Sequence, residues 1–295
     1  MLNFFLILLN ILLYTMQTLF FKMYADRYPG RSQYASFVYL VMGGGFAAFV
    51  SIAVSGFDFE FNYLTLILAA LAATSFFMYY FTLNIASANG PYSIVMLFSV
   101  VGGMCFPILT SLIAFGDAPS IWQVLCYLVV FTSSWFVIKK PNETTSVKNK
   151  KVFFTAVIGV AISNGMFSGF INLQQVYTGQ TQNDEMLMFS YLISAVFSFS
   201  FIFIKNKKDA PKIFRQTKGS ILFMVLAALV AASAVNMLVF ISAFIDVNLL
   251  WTFNNSGVLV FSVIASAIIF KEKLTKSNMV ACAIIAVMLA VISVV

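Results

Sequence analysis

The sequence predicts an all-α polytopic membrane protein, with ten transmembrane helices arranged as two inverted five-helix repeats, and three observations predict it. Hydrophobic residues fill 61% of the 295 positions and charged residues only 9%, whereas a water-soluble domain carries about a quarter of its residues charged. Apolar blocks recur along the whole chain, each close to the roughly 20 residues a helix needs to cross the hydrocarbon. All 17 Lys and Arg fall in alternate connections between those blocks, the asymmetry that membrane insertion imposes. A disordered chain, a disulfide scaffold and a soluble enzyme are excluded together. Blocks as long as 2–21, 220–243 and 277–295 also exclude the short alternating segments of a transmembrane barrel.

Reading apolar stretches between polar or Gly/Pro breaks gives spans near 2–22, 34–55, 63–88, 91–115, 119–138, 152–174, 186–204, 220–243, 247–270 and 277–295. The first has no basic residue before it, and its apolar run from Leu2 to Phe21 exceeds a signal-peptide core, so it is expected to stay in the mature chain. It carries Asn10, Tyr14 and Gln17 at intervals of four and three, which places them on one helix face. The second holds Gly43, Gly44 and Gly45, read as small residues for close packing. In the third, Tyr79, Tyr80 and Asn84 are candidates, the last two one turn apart.

The fourth span contains Gly102, Gly103 and Pro107, which with Gly257 in the ninth read as hinges for gating, the plain alternative being ordinary small-residue packing. The sixth repeats the pattern of the first with Asn164, Ser168, Asn172 and Gln175. The eighth places Ser233 and Asn236 on one face. The ninth holds the densest polar cluster inside any span: Asn248, Trp251, Thr252, Asn254, Asn255 and Ser256. Polar side chains at membrane depth are costly and turn toward a cavity or another helix. Two adjacent amides cannot both hide on one narrow seam, so one of Asn254 and Asn255 is expected to meet water or solute. Asn offers a donor and an acceptor together, and Trp251 a stacking face.

Cys105, Cys126 and Cys282 are isolated, each inside a span, and read as small buried hydrophobes. Histidine is absent, which removes His-dependent metal sites, His-activated nucleophiles and imidazole relays. No cofactor, metal or catalytic residue is expected. The acidic residues lie at span ends or in loops; Asp117 and Glu272 read as helix-start charges, and Asp246 is the nearest to a vestibule charge.

Because basic loops face the cytoplasm, loops 1, 5, 7 and 9 are expected inside and both termini outside. The surplus of +7 then needs no nucleic acid to explain it; topology and anionic lipid suffice. Sliding the chain along itself by 155 residues pairs Asp117 with Glu272, Gly102 with Gly257 and Gln17 with Asn172. The same shift carries residues 1–138 onto 152–295 across a basic linker, 139–151. Each half holds an odd number of spans, so the second half sits upside down relative to the first, as in carriers that work by alternating access.

With these features the chain resembles the drug/metabolite transporter superfamily, and within it the EamA-type ten-helix carriers. The segment Pro91–Trp122 with Pro107 and Phe115-Gly116-Asp117 carries the likeness, together with Phe270-Lys271-Glu272-Lys273-Leu274-Thr275. The resemblance implies a central cavity surrounded by the first, third and fourth spans and their repeat equivalents, which places Tyr79, Tyr80, Asn84 and Asn236 near it. The chain departs from the family in having its termini outside, and from the small multidrug resistance branch in lacking a glutamate in the first span.

The expected activity is transport of a small neutral or zwitterionic organic metabolite by uniport or exchange, in the cell membrane, with lipid the only other partner and the choice between monomer and homodimer open. No buried carboxylate is available to carry a proton or to balance a fixed charge. The alternatives are a proton-coupled multidrug or cation exporter and, from another class, a lipid-handling membrane protein or enzyme.

Overall fold

The computed structural model describes residues 2–54, 56–57, 60, 62–89, 92–116, 120–138, 149–178, 182–245, 247–269 and 276–292. Its regular structure is entirely helical. In chain order the helices are α1 (Leu2–Arg27), α2 (Ser32–Val54), α3 (Tyr63–Asn89), α4 (Tyr92–Phe115), α5 (Ile121–Ile138), α6 (Lys150–Thr178), α7 (Asn183–Asn206), α8 (Lys218–Ser242), α9 (Val247–Ile269) and α10 (Lys276–Ile292). A single turn, Ala210–Ile213, precedes α8. Six of them, α1, α2, α3, α6, α7 and α8, are long and apolar enough to cross a membrane. Asp117, Asp246 and Glu272, with the motif Phe270–Thr275, lie outside the described residues.

Local chemistry explains the helix ends. Asn62 Oδ1 accepts from Leu64 N at the start of α3, and Asn149 Oδ1 from Val152 N at the start of α6, as N-caps do. Thr217 and Ser220 cap α8 reciprocally, each side chain accepting from the other's main-chain N–H. Gly116 ends α4 in the left-handed region at φ +72°, the usual helix-terminating role of glycine.

Several helices outrun the apolar blocks. α1 continues past Lys22 to Arg27, whose guanidinium lies 4.5 Å from the Phe223 ring centre, so its stem covers apolar surface while its charge faces the helix's negative end. α7 begins at Asn183, and its first turn takes in Asp184 and Glu185, at the end where negative charge is favoured. α2 departs from regular form: a 3-10 turn over Ser32–Tyr34, one α-turn, then a π-helical stretch Tyr39–Gly43 before α-geometry resumes at Gly44. Nothing in the hydrophobic pattern announces that π segment.

The most extensive packing joins α3 with α6, α6 with α4, α1 with α8, and α2 with α7; α3 also meets α7, α5 meets α10, α8 meets α2, α1 meets α9, and α4 meets α9. α1, α8 and α9 thus form one group and α3, α4 and α6 another, joined by α2 and α7, which pack on each other. Glycines set the closest approaches. A Cβ on Gly102 would collide with the Ala161 carbonyl of α6, and one on Gly257 would fall 2.5 Å from Ile11 Cδ1 of α1. Gly159 and Gly169 meet Thr82 and Thr110 in the same way. Gly43 sits under the Tyr39 ring and Gly44 against Tyr191 O, while Gly45 faces open space.

Large apolar side chains are widely exposed on the outer surface, Phe4, Ile113, Val196, Ile204 and Leu222 among them. Water would penalise such a surface; lipid would not. Cys126 is buried, but Cys282 is half-buried and Cys105 exposed. The expectation of buried thiols therefore holds for Cys126 alone: Cys105 sits on an outward face, where an apolar solvent accepts it as readily as a core does.

Candidate functional site

Three of the candidate residues, on three helices, converge where α4 threads between α6 and α9. Asn164 Nδ2 of α6 donates to Ser99 O of α4 at 2.8 Å, and Ser99 Oγ donates to the Tyr79 hydroxyl of α3 at 3.3 Å. A Cβ on Gly103 would lie 2.8 Å from Asn164 Nδ2 and 2.9 Å from Asn255 Oδ1 of α9. Glycine at 103 therefore lets two carboxamides from different helices approach one another across α4. Asn255 Nδ2 donates to Trp251 O, one turn earlier, and Ser256 Oγ contacts Met104 Sδ at 3.7 Å. Asn164 and Asn255 are each only half-buried.

A second group lies along α1. Asn10 is almost wholly buried and donates from Nδ2 to Ala234 O of α8 at 2.7 Å, while its Oδ1 has no partner among the described residues. Tyr14 and Gln17 follow on the same face, and Gln17 Oε1 is likewise buried and unmet. Asn254, three residues before Gly257 and so on the face that meets Ile11, is buried with its Oδ1 unmet. Tyr14 is within electrostatic reach of Tyr191 on α7, and Tyr191 of Tyr39 on α2. The packing of α2 on α7 joins the two helix groups there.

From there an aromatic cluster extends toward the end of the molecule that carries the basic loops. Tyr80 of α3 lies 5.6 Å from Phe21 and 6.1 Å from Tyr39 between ring centres, and Phe76 bridges Tyr80 to Tyr191 and to Phe167. The π segment of α2 holds Tyr39 in this cluster, where it meets Phe21 edge-on at 5.0 Å, a favoured arrangement of aromatic quadrupoles. Nearby, Ser36 Oγ donates to Asn84 Oδ1, Asn206 Nδ2 to the Tyr34 hydroxyl, and Phe37 lies 4.8 Å from Phe201. Tyr28 donates to Ile213 O at 2.6 Å, and burial pushes its hydroxyl up to about 12.

Other candidates stand apart. Asn236 donates to Ala232 O and to Ser51 Oγ near the opposite end of α2 from Ser36, about 22 Å from the Asn84 level at 1.5 Å per residue. Asn172 donates to Thr110 Oγ1 at 3.4 Å, and Ser168 to Asn164 O within its own helix. Pro107 lies inside α4, which continues through it. At the end opposite the basic loops, the fully buried Gln174 donates to Thr65 Oγ1 and Gln182 O, Thr65 donates to Gln182 Oε1 at 2.6 Å, and Glu60 N donates to Glu185 Oε1, tying α3, α6 and α7 together.

Tyr39 and Tyr191 were not among the sequence candidates. For Tyr191 a signal existed: Ser190, Ser194 and Ser198 form a buried polar stripe at intervals of four beside it. For Tyr39 none did, because its position depends on the π turn.

No family model and no curated protein matches the chain. Among solved structures, a crystal structure of a protein matches with a TM-score of 0.71 over 99% of this chain and 97% of that one, at 14% identity. At that identity the likeness shows the fold alone.

Proposed function

We propose that the protein is a membrane carrier of ten spans in two inverted five-helix repeats, moving a small neutral or zwitterionic organic metabolite by alternating access, as a uniporter or exchanger. The observation that carries this reading is the polar node of Tyr79, Ser99, Asn164 and Asn255, drawn from four helices and from both halves of the chain. Polar groups at such depth turn toward a solute path or toward another helix, and the half-buried carboxamides of Asn164 and Asn255 support the first.

Helix packing supports the repeat. Exchanging α1 to α5 for α6 to α10 leaves the major neighbours unchanged: α3–α6 becomes α8–α1, α4–α6 becomes α9–α1, α3–α7 becomes α8–α2, and the pairs α2–α7, α4–α9 and α5–α10 map onto themselves. Gly102 and Gly257, paired by the shift of 155, both sit where a helix crosses closely over a neighbour from the equivalent pair. Likeness to the drug/metabolite transporters in layout and in the Pro91–Trp122 segment supports the class.

The test is solute counterflow in proteoliposomes with amino acids, nucleosides, sugars, polyamines and quaternary ammoniums, beside Asn164→Ala and Asn255→Ala variants. Counterflow of one class, lost in both variants without loss of folding, is the expected result. Accumulation driven by a sustained pH gradient would instead favour the proton-coupled exporter. Lipid scrambling without solute flux would overturn carriage altogether.

A further inference from the structure

We infer that the carrier selects its solute by N–H donation: the ligand presents a carboxamide, urea or amino group, and a bare carboxylate is rejected. The inference rests on the transport reading and names the chemistry of the second polar group, along α1, beside the node. It follows from how the carboxamides are oriented. Asn10, Asn164, Asn236 and Asn255 each give their NH2 group to a main-chain carbonyl, those of Ala234, Ser99, Ala232 and Trp251, at 2.7 to 2.9 Å. A carbonyl cannot donate, so these contacts fix which end of each amide is nitrogen. What remains for a ligand is the oxygen and, except at Asn236, whose NH2 also reaches Ser51 Oγ, one N–H.

The unmet atoms agree. Oδ1 of Asn10 and Asn254 and Oε1 of Gln17 are buried without a partner among the described residues; the other unmet amide oxygens, of Asn236, Gln174 and Gln175, lie away from α1. Asn10 and Asn254 are 1% and 3% exposed, and both lie at the junction of α1 with its neighbours, on the side of α1 that carries Tyr14 toward Tyr191. A buried acceptor left unpaired is costly; an incoming N–H removes that cost, whereas a methyl group leaves it and a carboxylate adds repulsion between like partial charges. An unmet donor, Asn84 Nδ2, belongs to the Ser36 contact in the aromatic cluster, not to this group.

Two isosteric series separate the terms: nicotinamide, 3-acetylpyridine and nicotinate, and phenylacetamide, phenylacetone and phenylacetate. Within each, NH2 is replaced by CH3 or by O⁻ at nearly constant shape. Ligand-dependent thermal melts of the full chain in nanodiscs give apparent Kd values. Each amide is expected to bind about tenfold more tightly than its ketone, with the acid weakest. Asn254→Leu should erase most of the amide's advantage, while Asn254→Asp, which keeps the acceptor, should retain it over the ketone. Equal binding of amide and ketone, or preference for the acid, would overturn the inference. So would failure of both amides to bind while other solutes are carried in counterflow; if no solute is carried at all, the transport reading itself falls.

Discussion

Replacing Gly102 with alanine tests the central packing most directly. Its new Cβ would run into the Ala161 carbonyl oxygen and lie 2.6 Å and 2.7 Å from Ala161 C and Cα. Every obstructing atom is main chain of α6, so no rotamer change relieves the contact and one helix must move. Gly165, whose Cβ would meet the Phe106 ring and, at 2.6 Å, Gly102 O, shows that the seam is tight from both sides. Overpacking a filled core costs about 1–3 kcal/mol and sometimes more. The helix-propensity gain of Ala over Gly returns only about 0.8–1 kcal/mol. A net loss of up to about 2 kcal/mol is expected, toward that upper end because the clash is with main chain, and visible as a lower melting temperature in detergent. Gly257→Ala meets the flexible end of Ile11 and should cost less, while Gly45→Ala, with nothing within 4 Å, should be neutral or slightly stabilising. If Gly102→Ala melts like Gly45→Ala, α4 and α6 do not approach as described.

Gly103→Ala should separate function from stability: its Cβ pushes on the Asn164 and Asn255 side chains, which can yield, so solute affinity should fall about tenfold while the melting temperature drops less than for Gly102→Ala. Tyr28 gives a pH signature. Its hydroxyl titrates at about 12 when folded against 10.0 for the ordinary group; the folded state therefore holds its proton more tightly, so the contribution is intact below pH 10 and is lost as pH rises from 10 through 12. Tyr28→Phe should shrink that alkaline loss and, at neutral pH, cost about 1 kcal/mol for the bond to Ile213 O; identical alkaline melting curves for the two proteins would refute the assignment.

Hydropathy made the helices legible because burial in lipid demands unbroken apolar runs, and that demand is written residue by residue. Helix ends were less so: α1 and α6 run several residues past their apolar blocks because Asp26, Arg27, Lys150 and Gln175 tolerate a helix that emerges into a polar layer. The polar faces of α1 and α6 and the Asn254–Asn255 pair pointed to the site through spacing alone. Spacing could not say that Asn84 and Asn236 meet opposite ends of α2, since that depends on which helix packs against which. Tyr39 was hidden for a different reason. Its direction is set by a π turn, a backbone choice made by packing against Phe21 and Tyr80 and not by local propensity.

The two ends of the molecule are chemically unequal, and the shift of 155 shows how. Phe21, Tyr39 and Tyr80, which join the helix groups at the basic end, correspond to Val176, Ser194 and Val235. Val176 is half exposed, whereas Tyr80 is buried at the heart of its cluster. Aromatic pairs add about 0.5–1.5 kcal/mol each beyond the area they bury, so the basic end is closed by ring contacts, whereas the opposite end is held by the Gln174, Thr65 and Gln182 hydrogen bonds and by Glu60 N to Glu185 Oε1. Under the proposed cycle the two access states therefore differ in what closes them, rings at one end and hydrogen bonds at the other. A solute shifts such an equilibrium only by binding one state better than the other. The groups able to do that are the carboxamides next to the cluster, because Tyr14 and Tyr191 connect the α1 face bearing Asn10 to the rings that must separate for the basic end to open.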